Sequence, residues 1–224
     1  AHATAAEIKA QGREVLFVGG TSLYLKSLLR GLYTGPPPDW DFRREVAAEV
    51  ERVGIAALHE RLQQVDPLAA AKLHRNDQRR IIRALEVYKA TGQPLSHRQT
   101  HFEEPRPASD CRVFVLRWPR DELHRRIEAR VDRMFAAGLV DEVRGLLDKY
   151  ESISRTANQA VGYQECIAHI QGVPLGETVE QVKVRTRRFA RRQETWFRGL
   201  SECRPVEMQA EFDPQAVVQK ILEM

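Results

Sequence analysis

Three groups of residues have the types and spacing to act on a phosphate-bearing substrate. The first is Gly19-Gly20-Thr21, which follows the apolar run Val15 to Val18 and precedes an apolar stretch beginning at Ser22. Glycine lets a backbone approach a phosphate closely, a helix N-terminus favours negative charge, and threonine adds a hydroxyl donor. Taken alone, such a turn is more often just a turn. The second group is Arg126, Arg130 and Arg133, which recur at helical spacing and so share a face. Guanidinium forks suit phosphate oxygens. Periodicity alone, however, favours pairing of these arginines with Glu122, Glu128 or Asp132. The third group is the segment 183–198, where Lys183, Arg185, Arg187, Arg188, Arg191, Arg192 and Arg198 face a single acid within the segment, Glu194. With Glu194 as the one partner offered, a polyanionic partner is favoured over a solvated face.

The charge is local. The whole chain is +4, so the segment 183–198 at +6 leaves the remainder at −2. Phe189, Trp196 and Phe197 interrupt the basic run and are expected to be ordinary core residues. "QAVGYQE", Gln159 to Glu165, places Gly162 between apolar and aromatic neighbours and reads as a turn leading into a helix. The histidines show no HExxH or comparable ligand spacing, so no metal site is expected from them. Cys111, Cys166 and Cys203 are few and far apart, which suits a reducing cytoplasm and argues against a disulfide framework.

The elements that must position these groups follow from periodicity and punctuation. Val15 to Val18 predicts a buried strand, and Ser22 to Leu32 the helix after it. "TGPPPDWD", Thr34 to Asp41, is a hinge. Helices are predicted over Phe42 to Val53, Ile55 to Val65, a short one opened by Asp66-Pro67, and Gln78 to Ala90 capped by Asp77. Residues 93–110 read as a loop, and Cys111 to Trp118 as a second buried strand. Helices over Arg120 to Ala136, Leu139 to Tyr150 and about Glu177 to Gly199 follow, then a possible short strand after Pro205 and a helix at 214–223. The composition is that of a folded protein, and no apolar run approaches the ~20 residues of a membrane helix. The chain begins at Ala1 in what reads as mid-helix, and two strands are too few for a complete sheet. A longer protein is expected.

As an ordered set, "FVGGTSLYLKSLL", "DPLAAAKLHRNDQRRIIRALEVYKATGQPLS", "RIEARVDRMFAAGLVDEV", "QAVGYQE" and "RRFARRQETWFRG" resemble the tRNA dimethylallyltransferases, also called tRNA isopentenyltransferases. The resemblance implies an α/β fold, helix-rich overall, with a P-loop NTPase-like core whose N-terminal strands are missing here, and a helical insertion. Residues 1–34 and 111–224 would form the core, and 35–110 the insertion and connection. The implied reaction transfers a dimethylallyl group from dimethylallyl diphosphate to N6 of the adenosine 3′-adjacent to the anticodon, with Mg²⁺. The implied partners are the tRNA anticodon stem-loop and dimethylallyl diphosphate, for a cytoplasmic monomer with no membrane association.

By the same resemblance, Thr21 is the catalytic threonine at the diphosphate. Gly19, Gly20, Thr21 and Arg130 bind the diphosphate. Arg79, Arg80, Arg83, Gln159, Gly162, Tyr163, Arg188, Arg191, Arg192, Gln193, Trp196 and Arg198 contact tRNA. The family's N-terminal "GPTxSGK[ST]" loop and "DSxQxY" segment have no counterpart in this sequence, so no general base is assigned and the Mg²⁺ ligands fall partly outside it. A relative acting on a free adenine nucleotide would share the diphosphate site without needing the basic helix. A non-catalytic RNA-binding relative would explain the arginines but not the Gly-Gly-Thr turn.

Overall fold

In the computed structural model, residues 1–31, 33–98, 106–150 and 152–224 are described. They divide into two compact units, Leu23–Arg106 and a second made of Ala1–Ser22 with Pro107–Met224.

Helix α1 spans His2–Ala10 and α2 spans Ser22–Arg30, the expected end of α2 at Leu32 lying outside the described residues. The unit Leu23–Arg106 then runs α3 (Trp40–Val53), α4 (Ile55–Val65), α5 (Pro67–Lys72), α6 (Gln78–Thr91) and α7 (Leu95–Arg98). The starts of α3, α5 and α6 are fixed by side-chain caps. Asp39 accepts from the Phe42 N–H at 2.9 Å, Asp66 from Ala69 at 3.0 Å, and Asp77 from Arg80 at 3.2 Å. Phe42, Val46, Leu58, Leu62, Ile81 and Leu85 form one apolar core. The loop expected over 93–110 is broken by α7 and by a 3₁₀ turn at Ala108–Asp110, and 99–105 lie outside the described residues.

The other unit holds β1 (Val113–Arg117), α8 (Arg120–Ala136), α9 (Leu139–Lys149), α10 (Arg155–Asn158), α11 (Tyr163–Ile170), α12 (Leu175–Arg198), β2 (Cys203–Glu207) and α13 (Pro214–Glu223). The two strands pair in parallel, from Val113 with Cys203 to Arg117 with Glu207. Parallel pairing needs a long crossover, and α8 to α12 supply it. Ile127 and Val131 of α8 bury against Val182 of α12, and Leu139 and Val143 of α9 against Cys166 of α11.

Two strand expectations are corrected. Val15 to Val18 is extended but belongs to no sheet among the described residues, and Leu16 and Val18 are 85% and 88% exposed. A strand exists only through a hydrogen-bonded neighbour, which this segment lacks among those residues. The run Cys111 to Trp118 yields only the five residues of β1, and these are half-buried to exposed because a two-stranded sheet covers little of itself. The strand expected after Pro205 starts before it. Pro205 sits inside β2, which a sheet edge tolerates.

Candidate active site

The Gly-Gly-Thr turn lies at the start of α2 and is exposed. Among the described residues, the Thr21 hydroxyl and the backbone N–H groups of Gly19 to Thr21 have no hydrogen-bond partner. One group of the turn is held: Gln193 of α12 donates its Nε2–H to the Gly20 carbonyl at 2.5 Å. The first and third residue groups of the sequence therefore meet.

Helix α12 is not as poor in partners as its own sequence suggests. Lys183 bonds Asp132 at 2.8 Å and Glu180 at 3.2 Å, Arg187 bonds Glu128 at 2.6 Å, and Arg185 bonds Glu165 and, at 2.8 Å, Gln164. The expectation that Glu194 is the one partner fails because acids arrive from α8 and α11. Glu194 itself takes Arg198 at 2.9 Å, an exposed pair of small energetic weight. The carboxylates of Asp132 and Glu180 outweigh the desolvation of Lys183 and raise its pKa. Arg188, Arg191 and Arg192 have no ion-pair partner among the described residues and are exposed.

The pairs also decide the fate of the α8 arginines. Glu128 and Asp132 are taken by α12, so they are not available to Arg130 or Arg133. Arg126 alone follows the pairing expectation, with Nε on Glu122 at 2.7 Å. Its guanidinium also lies 3.8 Å from the Trp118 ring centroid. Arg130 and Arg133 are exposed, with no ion-pair partner among the described residues. By helical periodicity they occupy the face of α8 opposite Glu128 and Asp132.

The rungs 132–183 and 128–187 make α8 and α12 antiparallel. Continued, this register sets Gln193 level with Glu122, so Arg130 lies eight residues, ~12 Å, along the axis from the level of the turn. Among the described residues no bond joins Arg130 to Thr21.

The QAVGYQE turn is locked to α12. Gly162 has φ 102°, in the left-handed region glycine favours, and its N–H donates to Glu165 at 2.8 Å. The buried Glu165 carboxylate also receives Arg185. Tyr163 donates its hydroxyl to Glu142, which raises the phenol's pKa. Gln159 is exposed at the end of α10. The aromatic expectation is corrected: Phe189 and Trp196 are exposed, and Phe197 is half-buried. The buried positions of α12, Thr178 and Val182, lie in its N-terminal half.

In the other unit, Arg79 and Arg80 are exposed on the first turn of α6, with Arg80 3.5 Å from Asp77. Arg83 is engaged. It bonds Glu86 and donates to the Pro36 carbonyl at 2.9 Å. Glu86, 1% exposed, also accepts from Arg43 at 2.7 and 2.8 Å and from the Asp39 N–H at 2.7 Å. Burial pushes its carboxyl up. The Arg43, Arg83 and backbone hydrogen bonds outweigh that and hold it at about 2. Glu86 was not singled out from sequence, and Glu128 and Asp132 were expected to pair with arginines of their own helix rather than with Arg187 and Lys183. For Glu128 and Asp132 a signal existed: acids four apart on one helix match cations four apart, Lys183 and Arg187, on another.

Among the described residues, no group of three His, Cys, Asp or Glu gathers as a metal site, and no helix is long and apolar enough to cross a membrane. The described residues do not by themselves fit a Mg²⁺ site.

The IPP transferase family model matches residues 1–200. The chain is 53% identical over 205 residues to the tRNA dimethylallyltransferase of Rhodopirellula baltica, covering 91% of this chain and 61% of that protein. It is 46% identical over 208 residues to the tRNA dimethylallyltransferase of Geobacter sulfurreducens, covering 92% and 67%. Its structure is similar to the full-length tRNA isopentenylpyrophosphate transferase of Bacillus halodurans, with a TM-score of 0.63, 34% identity, and coverage of 99% of this chain and 69% of that one. It also shares the fold of a eukaryotic dimethylallyltransferase acting on tRNA, with a TM-score of 0.72, 24% identity, and coverage of 98% and 58%.

The chain belongs to the IPP transferase family. It spans about three fifths of the Rhodopirellula relative's length, 61%.

Proposed function

We propose that this chain is part of an enzyme that transfers a dimethylallyl group from dimethylallyl diphosphate to N6 of the adenosine 3′-adjacent to the anticodon in tRNA. The observation that carries the reading is the contact of Gln193 with Gly20. It joins a turn with unused N–H and hydroxyl donors to a helix whose Arg188, Arg191 and Arg192 are without ion-pair partners among the described residues. The turn and the exposed arginines are parts of one unit, which supports reading them together as a diphosphate site and a polyanion-binding face.

The chemistry asks for both. An exocyclic adenine amine is a weak nucleophile, so the allylic C1–O bond must break readily as the C1–N6 bond forms and N6 loses its proton. Donors held in place where charge grows on the departing diphosphate lower that barrier. In this reading Thr21 is the catalytic donor, with Gly19, Gly20 and Arg130 binding the diphosphate. Positioning of the flipped adenosine supplies much of the rest. Arg79 and Arg80 of the unit Leu23–Arg106, and Gln159, Gly162, Tyr163, Arg188, Arg191, Arg192, Trp196 and Arg198 of the other unit, are read as tRNA contacts. Arg83, bound to Glu86, holds the Pro36 carbonyl within its own unit. Residues 1–34 and 111–224 belong to a P-loop NTPase-like core and 35–110 to its insertion. Mg²⁺ is expected as cofactor and the cytoplasm as location; no step is routed through the metal.

Incubating the full-length protein, of which this chain is part, with labelled dimethylallyl diphosphate, Mg²⁺ and an anticodon stem-loop RNA tests the reading. Label is expected on the adenosine after the anticodon, shown by nucleoside mass analysis. Label transferred to AMP and not to RNA would instead identify a free-nucleotide enzyme. RNA binding without transfer by the full-length protein would leave a non-catalytic relative.

A further inference from the structure

We propose that Gln193 is a positioning residue for the allylic diphosphate, which by holding the Gly20 carbonyl aims the Thr21 N–H at the ligand. The inference rests on the diphosphate reading of the turn and deepens it. A trans peptide is planar, and its C=O and N–H point in opposite directions. No cis peptide occurs among the described residues. The Gly20–Thr21 peptide therefore has a fixed sense: with its oxygen held towards α12 by the Gln193 amide, its N–H points away from α12, on the open side of the turn.

That N–H and the Thr21 hydroxyl are both without partners among the described residues. A free peptide in an exposed, glycine-flanked segment would sample both senses, and only one presents the donor. Gln193 removes that freedom before the ligand arrives, which is how preorganisation raises affinity. The residue at position 20 fits this role. A Cβ built there would collide with the Gln193 amide, so glycine is what permits the bond. Gly20 itself lies outside the left-handed region, so alanine is acceptable to its backbone.

This assignment moves Gln193 from the tRNA face, where the sequence resemblance puts it, to the diphosphate side. Its amide donor is directed at protein backbone. The neighbouring Arg188, Arg191 and Arg192 retain the RNA contact.

The test is calorimetric titration of the full-length protein with inorganic pyrophosphate, and separately with an anticodon stem-loop RNA. The variants are Gln193→Ala, Gln193→Glu, Gly20→Ala and the Gly20→Ala/Gln193→Ala double. Each single change is expected to weaken pyrophosphate about 3- to 10-fold, the range of one lost hydrogen bond. Glutamate keeps the length but cannot donate to a carbonyl, so it should not rescue. The double variant should be no weaker than either single one, because both changes remove the same contact. RNA affinity of Gln193→Ala should stay within about two-fold, well below the loss of a charge-assisted contact.

Unchanged pyrophosphate affinity in Gln193→Ala overturns the proposal, as do single effects that multiply in the double variant. Weakened RNA binding with pyrophosphate unaffected returns Gln193 to the tRNA face. If the wild-type protein binds no pyrophosphate, it is the diphosphate reading of the turn that fails, and the proposal falls with it. Gln193 lies on a half-exposed helix face, and the Gly20→Ala variant reports on the same contact from the other side.

Discussion

Lys183 stands 2.8 Å from Asp132, a side chain of a helix more than forty residues earlier in the chain. This contact and the Arg187–Glu128 pair one turn on divide the cations of the basic helix into those bound to α8 and those that are not. Its first half is a structural partner of α8. Arg188, Arg191 and Arg192 lie beyond these rungs, exposed and without ion-pair partners among the described residues.

The division predicts different behaviour for adjacent arginines. Arg188→Ala with Arg192→Ala should flatten the dependence of log K on log salt for RNA binding by roughly one to two units, leaving thermal stability nearly unchanged. Arg187→Ala should do the reverse, lowering the melting temperature while the salt slope stays close to wild type. Filter binding across a salt series, with a thermal melt of each variant, separates them. A slope that ignores the double change removes these arginines from the RNA face.

Thr21→Ala should lower kcat by ~10²–10³, the usual cost of losing a donor that acts on developing charge. RNA affinity should be unaffected, since Thr21 lies on the turn rather than on the arginine face. Single-turnover transfer at saturating RNA measures the effect, and unchanged turnover removes Thr21 from the site.

Arg130→Ala should raise KM for dimethylallyl diphosphate, because a charge-assisted contact is lost. Arg130 has no internal ion pair to lose among the described residues, so the fold should not notice. Steady-state kinetics with each substrate varied in turn shows which responds. A defect confined to the tRNA side places Arg130 elsewhere.

Glu86 should make the unit Leu23–Arg106 acid-sensitive. Its carboxyl, at about 2 in the folded protein, lies below its ordinary 4.5, so its stabilising contribution is complete above pH 4.5 and is lost as pH falls towards 2. Denaturant unfolding from pH 6 to pH 2 should show wild type losing its advantage over Glu86→Gln within that window. A constant gap between the two across it would mean that the carboxylate's charge contributes nothing.

Gly162→Ala should destabilise by about 1–3 kcal/mol, because alanine is strained at φ 102° and its Cβ would sit 3.3 Å from Leu139 Cδ2. Denaturant titration measures the loss. A neutral substitution would show that the turn can relax.

The sequence by itself determined most of the helices. Asp66 and Asp77 cap where an acid precedes an apolar-periodic run, and Ile81, Ile82 and Leu85 bury as their spacing requires, whereas Asp39 caps a helix that begins at Trp40, inside the stretch read as a hinge. Such features depend on neighbours within a turn or two of chain, so local order encodes them. The same local order made Gly19 to Thr21 and the arginine clusters visible as candidates. What it could not encode was partnership at a distance. Whether Val15 to Val18 pairs depends on a strand that its own residues do not specify. Whether Arg130 or Arg187 holds Glu128 depends on which helix packs alongside α8 and in what register. Only the tertiary structure decided that Arg83 and Arg185 are bound to buried carboxylates while Arg188, Arg191 and Arg192 are left without such partners among the described residues. The physical reason is that an ion pair needs two charges within about 4 Å, and chain separation sets no such distance until the helices between them have packed.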